Sequence, residues 1–138
     1  MRTITKTKLS YLINIPIIKD EGYLCFMEES NHIPFKIKRV YYIFDTIGGA
    51  VRGMHAHKKT RQLIFCLQGS VDLILDDGVK REKVILNKAN KGLFLDRMIW
   101  HEMINFRDSA ILLVVASDFF KESDYIRKYE LFVKAKNK

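Results

Sequence analysis

Residues 49–69 read GAVRGMHAHKKTRQLIFCLQG, and this stretch decides the fold. One residue separates His55 from His57, and Gln62 follows after four more. Residues i and i+2 of a β-strand point to the same face of the sheet, so the two histidines are expected to enter one space. Glycines close the stretch at both ends, as is typical of turns.

A second histidine-bearing segment reads WHEMIN over residues 100–105. With His101 included, three of the chain's four histidines would belong to one potential site. The fourth, His32, falls in a polar loop. The sequence therefore predicts one site to which both segments contribute.

Short β-type runs surround both segments. Runs rich in β-branched and aromatic residues lie at residues 40–44, 62–67, 71–75, 98–106 and 109–116. Turn signals separate them, and many short strands at this spacing predict an all-β sandwich or barrel. A chain of this length forms one domain, here residues 1–138.

One α-helix is expected near the C-terminus, over about residues 122–135. Apolar residues at helical spacing form one stripe there, consisting of Tyr125, Ile126, Tyr129, Phe132 and Val133. Ser123 is expected to cap this helix, and Asp124 in the first turn favours the positive end of the helix dipole.

Composition bounds the partners. The net charge of +8 calls for an anionic partner such as a nucleic acid, a membrane surface or a phosphorylated small molecule. No zinc-finger, helix-turn-helix or RNA-recognition pattern occurs, so no nucleic acid is expected. The longest apolar run, residues 110–116, is too short to cross a bilayer, so no membrane is expected. Cys25 and Cys66 lie in apolar runs and predict free thiols in a reducing compartment, the cytoplasm.

Three imidazoles inside a barrel allow three interpretations. Histidine is a common ligand of zinc, iron, nickel and copper. It also titrates near neutral pH and serves acid–base catalysis. Buried histidines can instead be structural and satisfied by hydrogen bonds. Arg52 and Gln62 beside the histidine pair favour a functional site.

The arrangement resembles the cupin family, which implies an all-β, cupin-type double-stranded β-helix (a jelly-roll barrel), here with a C-terminal α-helix. The first cupin motif, Gly-x5-His-x-His-x3-4-Glu-x6-Gly, matches residues 49–69, except that Gln62 stands where metal-binding cupins carry glutamate. The second motif ends in His-x3-Asn, which His101 and Asn105 match. Because a neutral amide binds a divalent ion more weakly than a carboxylate does, the resemblance favours acid–base catalysis without a metal.

Longer segments are similar to the dTDP-sugar 3,4-ketoisomerases, namely residues 33–44, 52–59, 67–70, 100–103, 116–118 and 123–127. The resemblance implies a small, metal-independent enzyme that needs no cofactor and forms a homodimer. It implies that the keto group of dTDP-4-keto-6-deoxy-D-glucose moves from C4 to C3. The product would supply 3-amino-3,6-dideoxy sugars of surface glycans such as lipopolysaccharide.

This reaction needs a base for the C3 proton, stabilisation of an enediolate, and an acid for C4. His55 and His57 are assigned as the proton-transfer pair, and the sequence does not say which of them is the base. Tyr41 is assigned to orient or polarise the sugar oxygens. The expected substrate-binding residues are Arg39, Arg52 and Lys59 at the diphosphate, and Gln62, Gln68, Trp100 and His101.

Position 101 bears on the product. Within the resembling family, histidine there accompanies the 3-keto-galacto product and arginine the 3-keto-gluco epimer, so dTDP-3-keto-6-deoxy-D-galactose is expected. Glu21 stands where galacto relatives can carry arginine, which keeps the gluco product open. A metal-dependent cupin enzyme using the three histidines and Gln62 is a further alternative, as is a non-catalytic sugar-binding module.

Overall fold

The computed structural model describes residues 3–138. Its strands are β1 (Thr3–Lys6), β2 (Tyr11–Asn14), β3 (Ile17–Lys19), β4 (Tyr23–Cys25), β5 (Arg39–Ile43), β6 (Arg52–His57), β7 (Gln62–Asp76), β8 (Arg81–Leu86), β9 (Lys91–Leu95), β10 (Trp100–Ala116) and β11 (Tyr125–Ile126). One 3₁₀ turn lies at Glu122–Asp124, and helix α1 spans Tyr129–Lys136. The expected all-β fold with a C-terminal helix is confirmed.

The main sheet has nine strands, in the order β1-β2-β9-β7-β10-β6-β11, with β5 paired to β10 and β8 to β7. β7 pairs with β8, β9 and β10, and β10 pairs with β5, β6 and β7, all antiparallel. A strand that changes partner along its length carries the sheet round a corner, as a jelly roll requires. β3 and β4 form a separate two-stranded hairpin.

The two long strands β7 and β10 correct the expected pattern of shorter ones. The runs at 62–67 and 71–75 are parts of one strand, and those at 98–106 and 109–116 join in another that begins at Trp100. Both strands bend where Gly69, with φ of +70°, meets the backbone of β10. A Cβ atom at Gly69 would lie 2.1 Å from the Arg107 carbonyl oxygen, so only glycine allows this approach.

The core fills the space between the long strands and their neighbours. Leu73, Leu93 and Leu112 are fully buried there and belong to one cluster. A separate cluster lies under the C-terminal segment, where Phe132 of α1 packs with Ala56 and Trp100. This second cluster fixes the end of β6 that carries the paired histidines.

The predicted helix over residues 122–135 is wrong in its first half. Tyr125 and Ile126 pair with β6, and the α-helix begins only at Tyr129. Lys128 precedes the helix without a side-chain cap, so Ser123 has no capping role. Residues 125–126 pair with the open edge of β6 instead of forming a helix, because this pairing gives hydrogen bonds to the backbone N–H and C=O groups of both segments. Within the part of the chain that the structure describes, no helix is both long and apolar enough to span a bilayer.

Candidate active site

Strands β6 and β10 bring three histidines together, as the sequence predicts. His101 lies opposite His55 in the register of the two strands, and His57 follows on β6. The ring centroid of His55 lies 4.9 Å from that of His57 and 4.5 Å from that of His101. One ring nitrogen from each residue lies within 4.8 Å of the others.

The Nδ1 atom of each ring faces an acceptor. Nδ1 of His55 lies 3.0 Å from the Gly53 carbonyl oxygen, and Nδ1 of His101 lies 3.4 Å from that of Ile99. Nδ1 of His57 lies 2.9 Å from Asp124 Oδ2. Carbonyl and carboxylate oxygens only accept, so each ring carries hydrogen on Nδ1. Among residues 3–138, the buried Nε2 atoms of His57 and His101 have no hydrogen-bond partner.

The environment keeps these rings neutral. Burial, helped by the neighbouring His57, lowers the pKa of His55 to about 4. Burial also lowers the pKa of His57, although hydrogen bonding to Asp124 opposes the shift. The pKa of His101 lies well below its usual range because the ring is buried and faces the other two imidazoles. At neutral pH the cluster therefore offers unprotonated Nε2 atoms as proton acceptors.

A cavity of about 410 Å³ opens beside His55, within the usual range for small-molecule sites. Its wall combines cations, phenols and apolar side chains, contributed by Arg39, Tyr41, Ile43, Arg52, Gly53, His55, Met103, Phe120, Tyr125 and Arg127. Within the described chain, the buried Nε of Arg39 has no hydrogen-bond acceptor. An unpaired guanidinium N–H in a cavity wall suits an anionic ligand.

Gln62 supports Tyr41 from behind this wall, since Tyr41 lines the cavity and Gln62 does not. The Gln62 side chain donates from Nε2 to the Tyr41 oxygen over 2.8 Å. Burial raises the pKa of Tyr41 to about 12, so its hydroxyl stays protonated and free to donate into the cavity. Gln62 itself is completely buried, and its Oε1 lacks a hydrogen-bond partner among the residues described.

The donor set also bears on a metal. Three histidine nitrogens at this spacing are able to hold a divalent ion, since catalytic zinc sites use three protein ligands. The fourth cupin position, Gln62, offers an amide instead of a carboxylate and directs its N–H to Tyr41. Among residues 3–138, the three histidines and Gln62 supply no carboxylate to balance the charge of an ion.

The structure places several predicted site residues outside the cavity wall. His101 is fully buried behind His55. Trp100 packs under helix α1, with its indole N–H donated to Glu102 over 2.9 Å. Gln68 donates to the Ser109 carbonyl oxygen in an outer groove. Lys59 pairs with Asp118 over 3.6 Å and lines a different cavity.

The segment after β10 supplies site residues that the sequence reasoning missed. The ring of Tyr125 lies 4.8 Å from that of His55 and 4.5 Å from that of His57. Arg127 stacks over Tyr125 at 4.3 Å and reaches the cavity. The i, i+2 spacing of these two residues was the available strand signal, but the apolar residues around them also fit a helix.

Fold and site together define a small cupin, a jelly roll with histidines converging beside a cavity. The family model described as "FdtA: WxcM-like, C-terminal" matches residues 7–137. The chain belongs to this family.

Known relatives agree with this assignment. A TDP-4-oxo-6-deoxy-alpha-D-glucose-3,4-oxoisomerase from Aneurinibacillus thermoaerophilus is 48% identical over 118 residues, which cover 86% of this chain and 85% of the relative. A solved 3,4-ketoisomerase from Helicobacter canadensis is 43% identical with a TM-score of 0.89, covering 92% of this chain and 96% of that one.

A third match is a histidine-to-asparagine mutant of the 3,4-ketoisomerase QdtA from Thermoanaerobacterium thermosaccharolyticum, solved in complex with TDP-4-keto-6-deoxyglucose. It is 38% identical with a TM-score of 0.89, covering 91% of this chain and 92% of that one.

Proposed function

We propose that this chain is a 3,4-ketoisomerase that acts on TDP-4-keto-6-deoxyglucose. The observation that carries the proposal is the neutral imidazole of His55 in the wall of a cavity that also presents the Tyr41 hydroxyl and the guanidinium of Arg39. The 48% identical relative bears the name of this reaction. The product would feed the synthesis of 3-amino-3,6-dideoxy sugars of surface glycans.

The reaction begins at C3, whose proton is acidified by the neighbouring C4 ketone. Nε2 of His55 takes this proton, because Nδ1 is occupied by the Gly53 carbonyl oxygen. The electron pair from the broken C–H bond forms an enediolate across C3 and C4. The Tyr41 hydroxyl donates a hydrogen bond to the developing charge, as a group with a pKa of about 12 does at neutral pH.

The second half returns a proton to carbon C4. The protonated Nε2 of His55 gives a proton to carbon C4. The proton of the C3 hydroxyl moves to the C4 oxygen, so C3 becomes the ketone, His55 is again neutral and no atom is gained or lost. His57 completes the proton-transfer pair, since its ring lies 4.9 Å from that of His55 and its Nε2 makes no hydrogen bond to any described residue.

The position of the cluster bears on the product. If the face that loses the C3 proton also receives the C4 proton, the C4 hydroxyl takes the galacto configuration, whereas delivery from the opposite face gives the gluco epimer. His55, His57 and His101 form one cluster with a single ring facing the cavity. We therefore propose TDP-3-keto-6-deoxygalactose as the product.

Guanidinium groups would bind the diphosphate of the substrate. Arg39 and Arg52 both line the cavity, and Arg127 joins them from the segment after β10. Arg127 is held by Glu122 through two hydrogen bonds of 2.7 and 3.0 Å. Planar guanidinium forks match phosphate oxygens, so these residues would anchor the nucleotide while His55 faces the sugar.

The test is NMR of the purified protein, treated with EDTA, with TDP-4-keto-6-deoxyglucose in D₂O. The proposal expects the ketone to move to C3 with deuterium at C4. Because the product then carries no proton on C3 or C4, the conversion is repeated in H₂O, where the coupling between the C4 and C5 protons gives the configuration at C4. Activity that appears only after a divalent ion is added would instead establish the metal-dependent enzyme that the three histidines also permit. No conversion under either condition would overturn the proposal.

Matched variants separate catalysis from binding. His55→Asn should abolish conversion while leaving TDP affinity within about twofold, since the diphosphate is held by arginines. His32→Asn changes the one histidine outside the cluster and should retain conversion. Equal activity of the wild type and His55→Asn would remove His55 from the mechanism. TDP binding without conversion by the wild type would favour a sugar-binding module.

We also propose a homodimer in the cytoplasm. The β3–β4 hairpin stands apart from the main sheet, and its apolar residues Ile17, Ile18, Tyr23 and Leu24 are all at least 48% exposed. Ile18 pairs with Leu24 in the hairpin, so these two exposed side chains share one face. An exposed apolar face of this kind suits an interface. Light scattering should give twice the monomer mass, and Ile18→Lys should shift the protein toward monomer. Cys25 and Cys66 are free thiols, which suits a reducing compartment such as the cytoplasm. Cell fractionation tests this location.

A further inference from the structure

The carboxylate of Asp124 is hydrogen-bonded to His57 of the histidine cluster, although the two residues lie far apart in sequence. Its Oδ2 accepts from Nδ1 of His57 over 2.9 Å and from the Thr60 hydroxyl over 2.5 Å. Its Oδ1 accepts from the backbone N–H of Lys59 over 2.7 Å. The backbone N–H of Lys58 donates to its main-chain oxygen over 2.8 Å, which fixes the turn itself.

Three donors around one carboxylate hold it ionised. Hydrogen bonds from Thr60, His57 and Lys59 outweigh burial and keep the pKa of Asp124 below its usual range. An ionised carboxylate accepts and never donates, so it admits only the His57 tautomer with hydrogen on Nδ1. The Nε2 atom, buried and unpaired among residues 3–138, is then the basic atom of the ring.

We propose that Asp124 is the positioning residue of the isomerase: it fixes the tautomer and orientation of His57, so that the unpaired Nε2 can exchange a proton within the histidine cluster. The inference rests on the proposed function for its catalytic consequence. The tautomer itself is a property of the free protein.

Replacement by asparagine tests this with little change of shape. The backbone N–H of Lys59 can only donate, so the asparagine oxygen must take the place of Oδ1. The amide NH₂ then faces His57, whose Nδ1 must become the acceptor, while the Thr60 hydroxyl can switch to accepting. His57 should therefore carry its hydrogen on Nε2 in Asp124→Asn.

The first readout is ¹⁵N NMR of histidine-labelled protein without substrate. Wild-type His57 should show a protonated Nδ1 and an unprotonated Nε2, and Asp124→Asn should show the reverse. The second readout is the conversion of TDP-4-keto-6-deoxyglucose. Its kcat should fall by about 10²-fold or more, the typical contribution of a proton-transfer group, with TDP affinity within about twofold.

Two control variants separate positioning from general damage. Thr60→Val removes another donor to the same oxygen but keeps the contact with His57, so it should keep the wild-type tautomer and lose less than about tenfold in kcat. Asp77→Asn changes a carboxylate that accepts from backbone N–H groups in a distant turn, and it should behave as wild type.

The inference is overturned if Asp124→Asn retains hydrogen on Nδ1 of His57, or if its kcat stays within about threefold of wild type. It is also overturned if Thr60→Val loses as much activity as Asp124→Asn with the tautomer unchanged. A wild-type protein that shows the expected tautomer but converts no substrate would refute the proposed function and leave the tautomer assignment standing.

Discussion

Replacing Tyr41 with phenylalanine should leave the buried side-chain amide of Gln62 without its hydrogen-bond partner. Gln62 is fully buried, its Oε1 has no partner among residues 3–138, and its Nε2 donates to the Tyr41 oxygen over 2.8 Å. Without that oxygen, the polar atoms of the carboxamide lie in an apolar environment with no hydrogen bond in the structure. Methionine at position 62 has a similar shape and no amide, so it removes the problem.

The magnitude follows from this contact. A buried donor that loses its partner costs about 1–3 kcal/mol, so Tyr41→Phe should lower the free energy of unfolding by about 2 kcal/mol. In the Gln62→Met background the same change should cost less than about 1 kcal/mol, because no amide is left unpaired. The coupling energy of the cycle is then about 1–2 kcal/mol.

Urea-induced unfolding of the four proteins measures this coupling. The single tryptophan, Trp100, is buried and reports unfolding by fluorescence. A coupling below about 0.5 kcal/mol, within the error of additivity, would refute the reasoning, because the amide would not depend on the phenol. In both backgrounds, loss of the hydroxyl should reduce kcat by about 10²-fold, as removal of one stabilising donor does.

Three further predictions concern pH and packing. Folding lowers the pKa of His55 from 6.5 to about 4, so only the unfolded state binds this proton between those pH values. The free energy of unfolding should be at its full value above pH 6.5 and fall by about 3 kcal/mol as the pH drops from 6.5 to 4. Urea titrations of His55→Asn should lack this part of the loss. Because the pKa of Tyr41 is raised to about 12, kcat should show no loss from phenol ionisation below about pH 11, and a fall centred near pH 10 that Tyr41→Phe abolishes would contradict this. Phe132→Ala empties a fully buried position and should cost about 3–5 kcal/mol, so an unchanged melting temperature would argue against the helix docking described above.

Local spacing explains what the sequence could predict of the site. His55 and His57 share a strand, and the glutamine at position 62 is a direct deviation from a known motif. Arg39 and Tyr41 lie two residues apart, which puts them on one face of a strand, and both line the cavity. Each of these inferences needs only a strand assignment and no knowledge of which strands pair.

What the sequence could not predict depends on contacts between distant segments. Asp124 looked like a helix-start residue, because nothing local reveals that its carboxylate meets the end of β6. Trp100 was expected among the substrate-binding residues, yet the docking of Phe132 buries it. The bends of the long strands were also hidden, since Asp108 and Ser109 adopt positive φ angles that their residue types do not announce.

The pairing of β7 with β10 has a consequence for how the chain reaches its native state. These strands pair along nearly their whole length, although β8 and β9 lie between them in sequence. Distant parts of the chain must meet before much of the favourable energy of contact is gained, which slows folding to about milliseconds to seconds in proteins of this type. During that interval β7 exposes apolar side chains and unpaired backbone groups. A high concentration of newly made chains should therefore favour aggregation. Slower synthesis at low temperature should raise the yield of soluble protein.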